Sequence, residues 1–265
     1  MTALKQVPPP AEETKKKDVE HVNLQDSTKK GVWKVVENIL RQYQNFFFPL
    51  FLAPMALFYA IAITVAVTPG IFIFAGFEQW TQGSASWIIY LGRAFSVGLG
   101  FIGFIASLLM VVPILNLPFR FFVKSYKGPW FSLESIPWYY HNALLYLVRY
   151  TVLDFVTPSP LNILFFKAMG MKIGKGSMIN TSNVSDACLI EIGNYVTIGG
   201  STYMMAHYGV KGYLIIDRLK IKDKAMIGLA AKILGGVQIG ERAIVAPNSV
   251  LLPKTNIPDG EKFGY

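Results

Sequence analysis

The chain has 265 residues, 52% of them hydrophobic, and a formal net charge of +9. Its single cysteine, Cys188, excludes an internal disulfide framework, and its three histidines, His21, His141 and His207, are too dispersed for the converging ligands of a zinc site. We therefore expect no metal. The basic residues lie beside apolar segments and lack an interleaved aromatic motif, so no nucleic-acid partner is expected.

Residues 1–45 form a basic N-terminal segment. Up to about Asp26 it is polar, with PPP and KKK runs, and this composition predicts a disordered tail. A short helix is expected to follow, with Val35, Val36 and Ile39 on its apolar side. The segment is predicted to lie in the cytoplasm.

Residues 46–120 are predicted to form a two-helix transmembrane hairpin. The stretch Phe46–Phe77 carries no charge, and Trp87–Phe119 is similarly apolar; each exceeds the ~20 residues that span a bilayer core. Arg93 lies near the interface and is interpreted as a boundary residue. Lys and Arg flank the hairpin but are missing from its link, so the positive-inside rule predicts cytoplasmic N- and C-termini. A multi-pass protein of the membrane, the inner membrane if bacterial, is expected.

Residues 121–170 are predicted to hold interfacial or entry helices. One helix begins near Ser135 and ends before Thr157-Pro158. It is apolar over much of its surface but carries His141, Arg149 and Asp154, so it is expected to lie in the membrane interface rather than span; the alternative is a helix buried under the domain that follows. A second short helix, Leu161–Ala168, should lead into that domain.

Residues 171–265 show a six-residue period of aliphatic side chains. This spacing is too long for a helix turn and unrelated to strand alternation, and it is typical of a parallel β-helix with one inward aliphatic per side. Glycines after the inward positions, such as Gly228 and Gly240, are expected to turn the corners. The unbroken run comprises Ile221, Ile227, Ile233, Ile239, Val245, Leu251 and Ile257, with the same register at Ile192, Ile198 and Met204 and looser at Ile173 and Ile179.

The stretch YVTIGGSTYMMAH, a loop and the run LKIKDKAMIGLAAKILGGVQIGERAIVAPNSVLLPKTNIPDG resemble the hexapeptide-repeat acyltransferases, the superfamily of maltose, galactoside and serine O-acetyltransferases. The resemblance covers roughly the last hundred residues. It implies an all-β, left-handed parallel β-helix after the membrane α-helical hairpin. It also implies an acyl-thioester donor, a catalytic histidine and a possible homotrimer.

His207 occupies the place of that histidine, where the hexad rhythm breaks between Met204 and Ile221. The break predicts an outward loop, and imidazole is a natural base for an acceptor hydroxyl or amine. We hypothesise that His207 is the general base; the alternative is a histidine that only packs in the loop. The acids nearby in sequence that could orient it are Asp186, Glu191 and Asp217, and spacing does not decide among them.

The run from Gly228 to Ala231 resembles the flat strip on which the pantetheine arm lies in CoA-binding relatives. Small residues let a ligand approach the backbone, and Lys232 could meet a CoA phosphate. The alternative is that these residues form β-helix corners. The predicted donor site comprises Gly228, Ala230, Ala231 and Lys232, with acetyl-CoA or another acyl-CoA as donor.

The sequence thus predicts a membrane-anchored acyltransferase that moves an acetyl or related acyl group to a membrane-associated acceptor, such as a lipid-linked sugar or a polymer. Two alternatives stay open. One is a non-catalytic β-helix scaffold at the membrane. The other is a carrier-protein-dependent transferase, because the coupling of membrane helices to such a β-helix also resembles the C-terminal region of poly-lysine-type poly-amino-acid synthetases.

Overall fold

The computed structural model describes Ser27 and residues 29–264, so the tail predicted up to Asp26 lies outside the described residues. Five α-helices precede or enter the β-helix. Short 3-10 turns cover Leu153–Val156 and Ala187–Leu189. The helices are α1 (Val32–Gln42), α2 (Gln44–Thr81), α3 (Ser86–Arg120), α4 (Ile136–Arg149) and α5 (Pro160–Ala168).

The described residues also form sixteen strands, which follow or interrupt these helices. They are β1 (Tyr126–Pro129), β2 (Lys172–Ile173), β3 (Met178–Ile179), β4 (Ile190–Ile192), β5 (Thr197–Ile198), β6 (Tyr203–Met204), β7 (His207–Val210), β8 (Tyr213–Ile216), β9 (Leu219–Ile221), β10 (Met226–Ile227), β11 (Lys232–Ile233), β12 (Gln238–Ile239), β13 (Ile244–Val245), β14 (Val250–Leu251), β15 (Asn256–Ile257) and β16 (Lys262–Phe263).

Helices α2 and α3 form an antiparallel hairpin joined by four residues. Both are long and apolar enough to cross a membrane, which is weak support for the predicted spans because length and composition are the whole of it. The helices approach closely at two glycines: a Cβ on Gly100 would lie 3.1 Å from the Cα of Gly70. Near the link, Arg93 pairs with Glu78 at 2.9 Å on an exposed surface.

The short helix α1 turns its polar side toward the protein. Glu37 and Arg41 are 1% and 8% exposed, form an ion pair at 3.0 Å, and bond to Ser132 and the carbonyl of Phe131. Burial alone raises the pKa of Glu37, but hydrogen bonds from Ser132 and Ser27 and the charge of Arg41 outweigh it and lower the pKa. The apolar side of α1 is left outward, with exposed Val32, Trp33, Val35, Val36 and Ile39.

Helix α4 is buried between the hairpin and the β-helix. Its residues Leu144, Leu145 and Val148 are 0% exposed, and α4 contacts both α2 and α3. The structure thus packs α4 inside the protein, and its level relative to a membrane interface stays a prediction. The physical reason for this burial is that α4 covers apolar surface on both sides.

The hexad register is confirmed. Three faces carry stacked parallel strands in the orders β2-β4-β9-β12-β15, β3-β5-β10-β13-β16 and β6-β11-β14. The seven aliphatic residues from Ile221 to Ile257 are at most 3% exposed, and Ile198 and Met204 are fully buried. These side chains form the core of a parallel β-helix. Its left-handed winding stays a prediction.

The glycines after the inward positions have a different role from the one expected. Gly228 and Gly240 are not among the residues with positive φ, which instead lie two positions later, as at Ala230 (φ 56°) and Arg242 (φ 57°). A Cβ on Gly228 or Gly240 would lie 2.4 Å from the backbone of the next coil. Glycine is therefore needed because stacked coils approach closely there, not because the backbone must turn.

The break in the rhythm forms a β-hairpin, whereas the sequence predicted a loop. Strands β7 and β8 pair antiparallel, and β8 also pairs with β1, the strand that follows the end of α3. Leu214 and Ile216 on β8 are buried, so the hairpin folds onto the protein. The alternation of buried and half-buried residues along β8 is the period-two signal of a strand. This small sheet joins β7 through β8 to β1, the strand that follows α3.

Candidate active site

The side chains of His207 and Asp186 form a hydrogen-bonded pair at the start of β7. The Nδ1 of His207 lies 2.6 Å from Oδ2 of Asp186. Asp186 is completely buried, whereas the His207 side chain keeps 18% of its surface exposed. The imidazole is thus anchored at Nδ1 and remains partly exposed, and a general base needs both features.

The fold brings these two residues together because they occupy the same corner of adjacent coils. Val184 bridges to Met204, and the N–H of Ala206 donates to Oδ2 of Asp186 at 2.8 Å. One coil further on, Gly235 underlies this corner: a Cβ there would lie 3.1 Å from the backbone nitrogen of His207. Stacked corners therefore bring Asp186 and His207 together.

Each oxygen of the Asp186 carboxylate accepts two hydrogen bonds. Oδ1 accepts from Nε1 of Trp138 at 2.5 Å and from Nδ2 of Asn142 at 2.7 Å, both on α4. Oδ2 accepts from Ala206 and His207. Burial by itself raises the pKa of Asp186, but the hydrogen bond and charge of His207 and the bond from Asn142 outweigh it, so the pKa lies below its usual value.

Aromatic side chains line the same place. The Trp138 ring meets the His207 ring edge-on, with centroids 5.0 Å apart, and contacts Trp130 and Tyr139 in the same manner. The Trp130 ring packs against the hairpin of β7 and β8: a Cβ on Gly209 would lie 3.0 Å from it. Trp138 therefore contacts both members of the pair, the His207 ring through its own ring and the Asp186 carboxylate through Nε1.

The other two acids that the sequence offered do not contact His207. Glu191 pairs with Lys172 at 2.7 Å and Arg218 at 3.4 Å on an outer face. Asp217 accepts a hydrogen bond from the backbone N–H of Arg218 at 2.9 Å, while its own N–H donates to Ala206. Among the three acids, Asp186 is therefore the one that orients the histidine.

The predicted donor strip lies at the opposite end of the same face from His207. Gly228 is at the corner before β11, packed against Pro247. Ala230 is half-buried in the left-handed conformation, Ala231 is fully buried, and Lys232 is exposed on β11 between Tyr203 and Val250. Gly228 thus has a sufficient packing reason to be glycine, and a role of these four residues in donor binding stays a prediction.

Sequence reasoning missed the contribution of α4 to the site. Trp138 and Asn142 were not considered, although their spacing of four residues places both on one helix face. That spacing is the available signal, but it does not indicate which face turns to the β-helix. Tyr146 and Arg149 continue the same face and bond to Ser185 and Asn183 at 2.7 and 2.6 Å.

No family model matches the chain. One curated relative, "Putative acetyltransferase YvoF" of Bacillus subtilis (strain 168), is 30% identical over 106 residues. The match covers 39% of this chain and 60% of the relative. Because less than two thirds of the relative is spanned, the likeness concerns part of that protein.

Solved structures with similar folds were also found. The hexapeptide-repeat-containing acetyltransferase VCA0836 of Vibrio cholerae is 21% identical, with 45% of this chain and 82% of that chain covered and a TM-score of 0.37. The maltose O-acetyltransferase of Clostridium difficile 630 is 18% identical, with 52% of this chain and 87% of that chain covered and a TM-score of 0.38. Soybean serine acetyltransferase complexed with serine is 22% identical, with 63% of this chain and 74% of that chain covered and a TM-score of 0.32. At such values these likenesses carry no information on substrate. The resemblance to acetyltransferases is confirmed by the sequence relative, and the hexapeptide repeat is confirmed by the buried register of the β-helix itself.

Proposed function

We propose that this chain is a membrane-anchored acyltransferase that moves an acetyl or related acyl group from a CoA thioester to a hydroxyl or amine. The observation that carries the proposal is the His207–Asp186 pair, in which a buried carboxylate with four donors holds a partly exposed imidazole. A scaffold has no need of a buried charge at this corner, since burying a carboxylate is unfavourable unless it is fully bonded.

The pair defines the proton path. When the ionised Asp186 accepts the Nδ1–H of His207, Nε2 is the ring nitrogen left without a proton. Nε2 takes the proton from the acceptor hydroxyl or amine as its oxygen or nitrogen attacks the thioester carbonyl. The tetrahedral adduct then breaks its carbon–sulfur bond, and the imidazolium returns the proton to the departing thiolate. The negative charge of Asp186 stabilises the imidazolium between these two steps.

The donor would lie along Gly228, Ala230, Ala231 and Lys232, as the resemblance implies. The exposed ammonium of Lys232 suits a CoA phosphate, and the small side chains leave the surface flat. Lys232 on β11 pairs with Tyr203 on β6, and β6 ends three residues before His207, which supports a donor arm that runs along this face toward the His207–Asp186 pair.

The membrane location is supported by α2 and α3 and by the outward apolar side of α1. Residues such as Phe46, Leu50 and Phe72 on α2 are more than half exposed in the isolated chain. The polar side of α1 is fixed to the protein through Glu37 and Arg41, so its apolar side faces away, as in a helix that lies in the lipid interface. The Lys and Arg bias of the flanks favours a cytoplasmic β-helix, where CoA thioesters are found.

The test is thiol release from acetyl-CoA by detergent-solubilised protein, with a panel of sugars and amines as acceptors. His207→Ala should lower kcat by about 10²- to 10⁴-fold, because general-base catalysis contributes that much. Lys211→Ala at the exposed tip of the same hairpin is the matched control and should keep wild-type turnover. Wild-type turnover in the His207 variant would remove the proposed mechanism and favour the scaffold.

A further inference from the structure

Asn142 makes a closed pair of hydrogen bonds with Asp186, the residue that orients the proposed base. Its Nδ2 donates to Oδ1 of Asp186 at 2.7 Å, and its Oδ1 accepts from the Asp186 backbone N–H at 2.8 Å. The same Nδ2 also donates to the Trp138 carbonyl at 3.2 Å. One amide therefore holds both the backbone and the side chain of Asp186.

This double contact matters because the backbone of Asp186 is in an unfavourable conformation. Its φ and ψ are 58° and 39°, in the left-handed region, which is unfavourable for residues other than glycine although less so for Asp and Asn. Its N–H and its carboxylate are completely buried, so water cannot replace a lost partner. Without Asn142, the N–H would be unpaired and Oδ1 would keep Trp138 alone. Asp186 would then have reason to rotate away from His207.

Asn142 does not belong to the β-helix. It lies on α4, whose other side contacts the membrane hairpin: Tyr59 on α2 donates to the Ala143 carbonyl at 2.8 Å, and His141 meets Asn116 on α3 at 3.1 Å. The hexapeptide repeat alone thus leaves the Asp186 carboxylate half satisfied. The helix that completes it is held in place by α2 and α3.

We propose that Asn142 is a positioning residue for acyl transfer, which acts through Asp186 to keep His207 in the Nδ1–H tautomer. The proposal rests on the proposed function for its kinetic consequence. It goes beyond that function because it makes a helix packed on the membrane hairpin a required part of the catalytic geometry.

The decisive variant is Asn142→Asp, which keeps the shape and the acceptor for the Asp186 N–H but replaces the donor to Oδ1 by an oxygen. We expect kcat to fall on the order of 10- to 100-fold, as displacement of a reacting group does, while KM for acetyl-CoA changes less than about twofold. In this variant two adjacent carboxyls share one proton, and the new carboxyl can donate to Oδ1 of Asp186 only while it keeps that proton. Activity should therefore be lost as pH rises through the raised pKa of the carboxyl pair, which shifts the pH–rate profile toward acid. Asn142→Leu should lose kcat without the acid shift.

Tyr146→Phe is the matched control. It removes the hydrogen bond from the next turn of α4 to Ser185, the neighbour of Asp186, yet touches neither member of the pair. It should lose about as much thermal stability as Asn142→Asp but keep the wild-type kcat and pH profile. Equal loss of kcat in Tyr146→Phe and Asn142→Asp would overturn the proposal, because general packing would then explain both.

A second readout is independent of turnover. Ring ¹⁵N spectra of His207 in detergent should show the Nδ1–H tautomer in wild type and Tyr146→Phe, and a changed tautomer or protonation in Asn142→Asp. Unchanged His207 spectra in Asn142→Asp would overturn the positioning role even if no acceptor turns over. An intact spectroscopic effect in a chain without transferase activity would instead contradict the proposed function alone.

Discussion

Burial of the Asp186 carboxylate is the largest free-energy cost at the site, and its hydrogen bonds must offset that cost. Desolvation of a carboxylate costs several kcal/mol, and a hydrogen bond to a charged group returns about 1.5–3 kcal/mol, so two or three well-aligned donors are needed to offset the burial. Asp186 has four, which explains why its pKa falls rather than rises in a buried site. The ionised form is thus retained at any pH at which the imidazole can act as a base.

His141, which precedes Asn142 on α4, shows the opposite balance between burial and charge. Burial, assisted by the charge of Arg120, lowers the pKa of His141 from 6.5 to about 4, although the nearby Asp186 acts in the other direction. Its Nδ1 meets Asn116, and its Nε2 has no partner among the described residues. The ring is therefore neutral in the folded protein near neutral pH.

His141 predicts an acid-dependent loss of stability. Between pH 6.5 and about 4 the unfolded chain binds a proton at this position and the folded protein does not. Stability therefore falls as pH drops through this window, by roughly 3 kcal/mol at its lower end, at about 1.4 kcal/mol for each pKa unit. Thermal unfolding in detergent at pH 7 and pH 5 measures it. His141→Gln should show a weaker pH dependence than wild type; an identical dependence would show that His141 is not its source.

At the scale of elements, the hairpin of α2 and α3 depends on close contact between two backbones. Gly70 and Gly100 meet face to face, and Gly103 lies against the Pro69 side chain at 3.5 Å from its virtual Cβ. Small residues at such contacts let membrane helices approach closely enough for extensive van der Waals packing.

This contact can be tested with two glycines of the same helix. Gly100→Leu should destabilise the protein by about 1–3 kcal/mol, because the new side chain must push the helices apart. Gly98→Leu should be neutral or slightly stabilising, since Gly98 is exposed and a Cβ there meets nothing within 4 Å. Unfolding midpoints of the two variants in the same detergent give the comparison. Equal midpoints would contradict a glycine contact between α2 and α3.

The elements also differ in how far their sequence predicts them. The hexads are predictable because each inward side chain, such as Ile233, depends on a period that repeats through the same chain. The hairpin of β7 and β8 was predicted as a loop because its strand alternation, clear at Leu214 and Ile216, interrupts a longer pattern. The face of α4 was undecided because a helix apolar on all sides does not indicate its neighbours.

The candidate site was predicted in the same uneven way. His207 could be found from the break in the rhythm and the resemblance. Asp186 could only be named among three acids, because the 3-10 turn Ala187–Leu189 offsets its coil from a strict hexad count. Asn142 could not be found at all, since its contact joins residues 44 positions apart in sequence.

At the scale of the whole molecule, the site combines three parts of the chain: α4, the coil that holds Asp186, and the start of β7 with His207. They meet at one end of the hairpin of α2 and α3. The antiparallel α2 and α3 bring α1, β1 and α4 to the same end, and the β-helix packs there through α4 and α5. Arg120 at the end of α3 donates to the carbonyl of Ala168 on α5. An acceptor held in the membrane would thereby be kept close to His207, which is consistent with the proposed membrane-associated substrate.

The central claim is His207-dependent transfer of an acyl group to a membrane-associated acceptor. The direct measurement incubates inverted membrane vesicles that carry the protein with radiolabelled acetyl-CoA and counts label in the washed membrane fraction. Label that accumulates with the wild type, and not with equal amounts of His207→Ala, is the predicted result. Equal labelling of both, or none with either at millimolar acetyl-CoA, would contradict it.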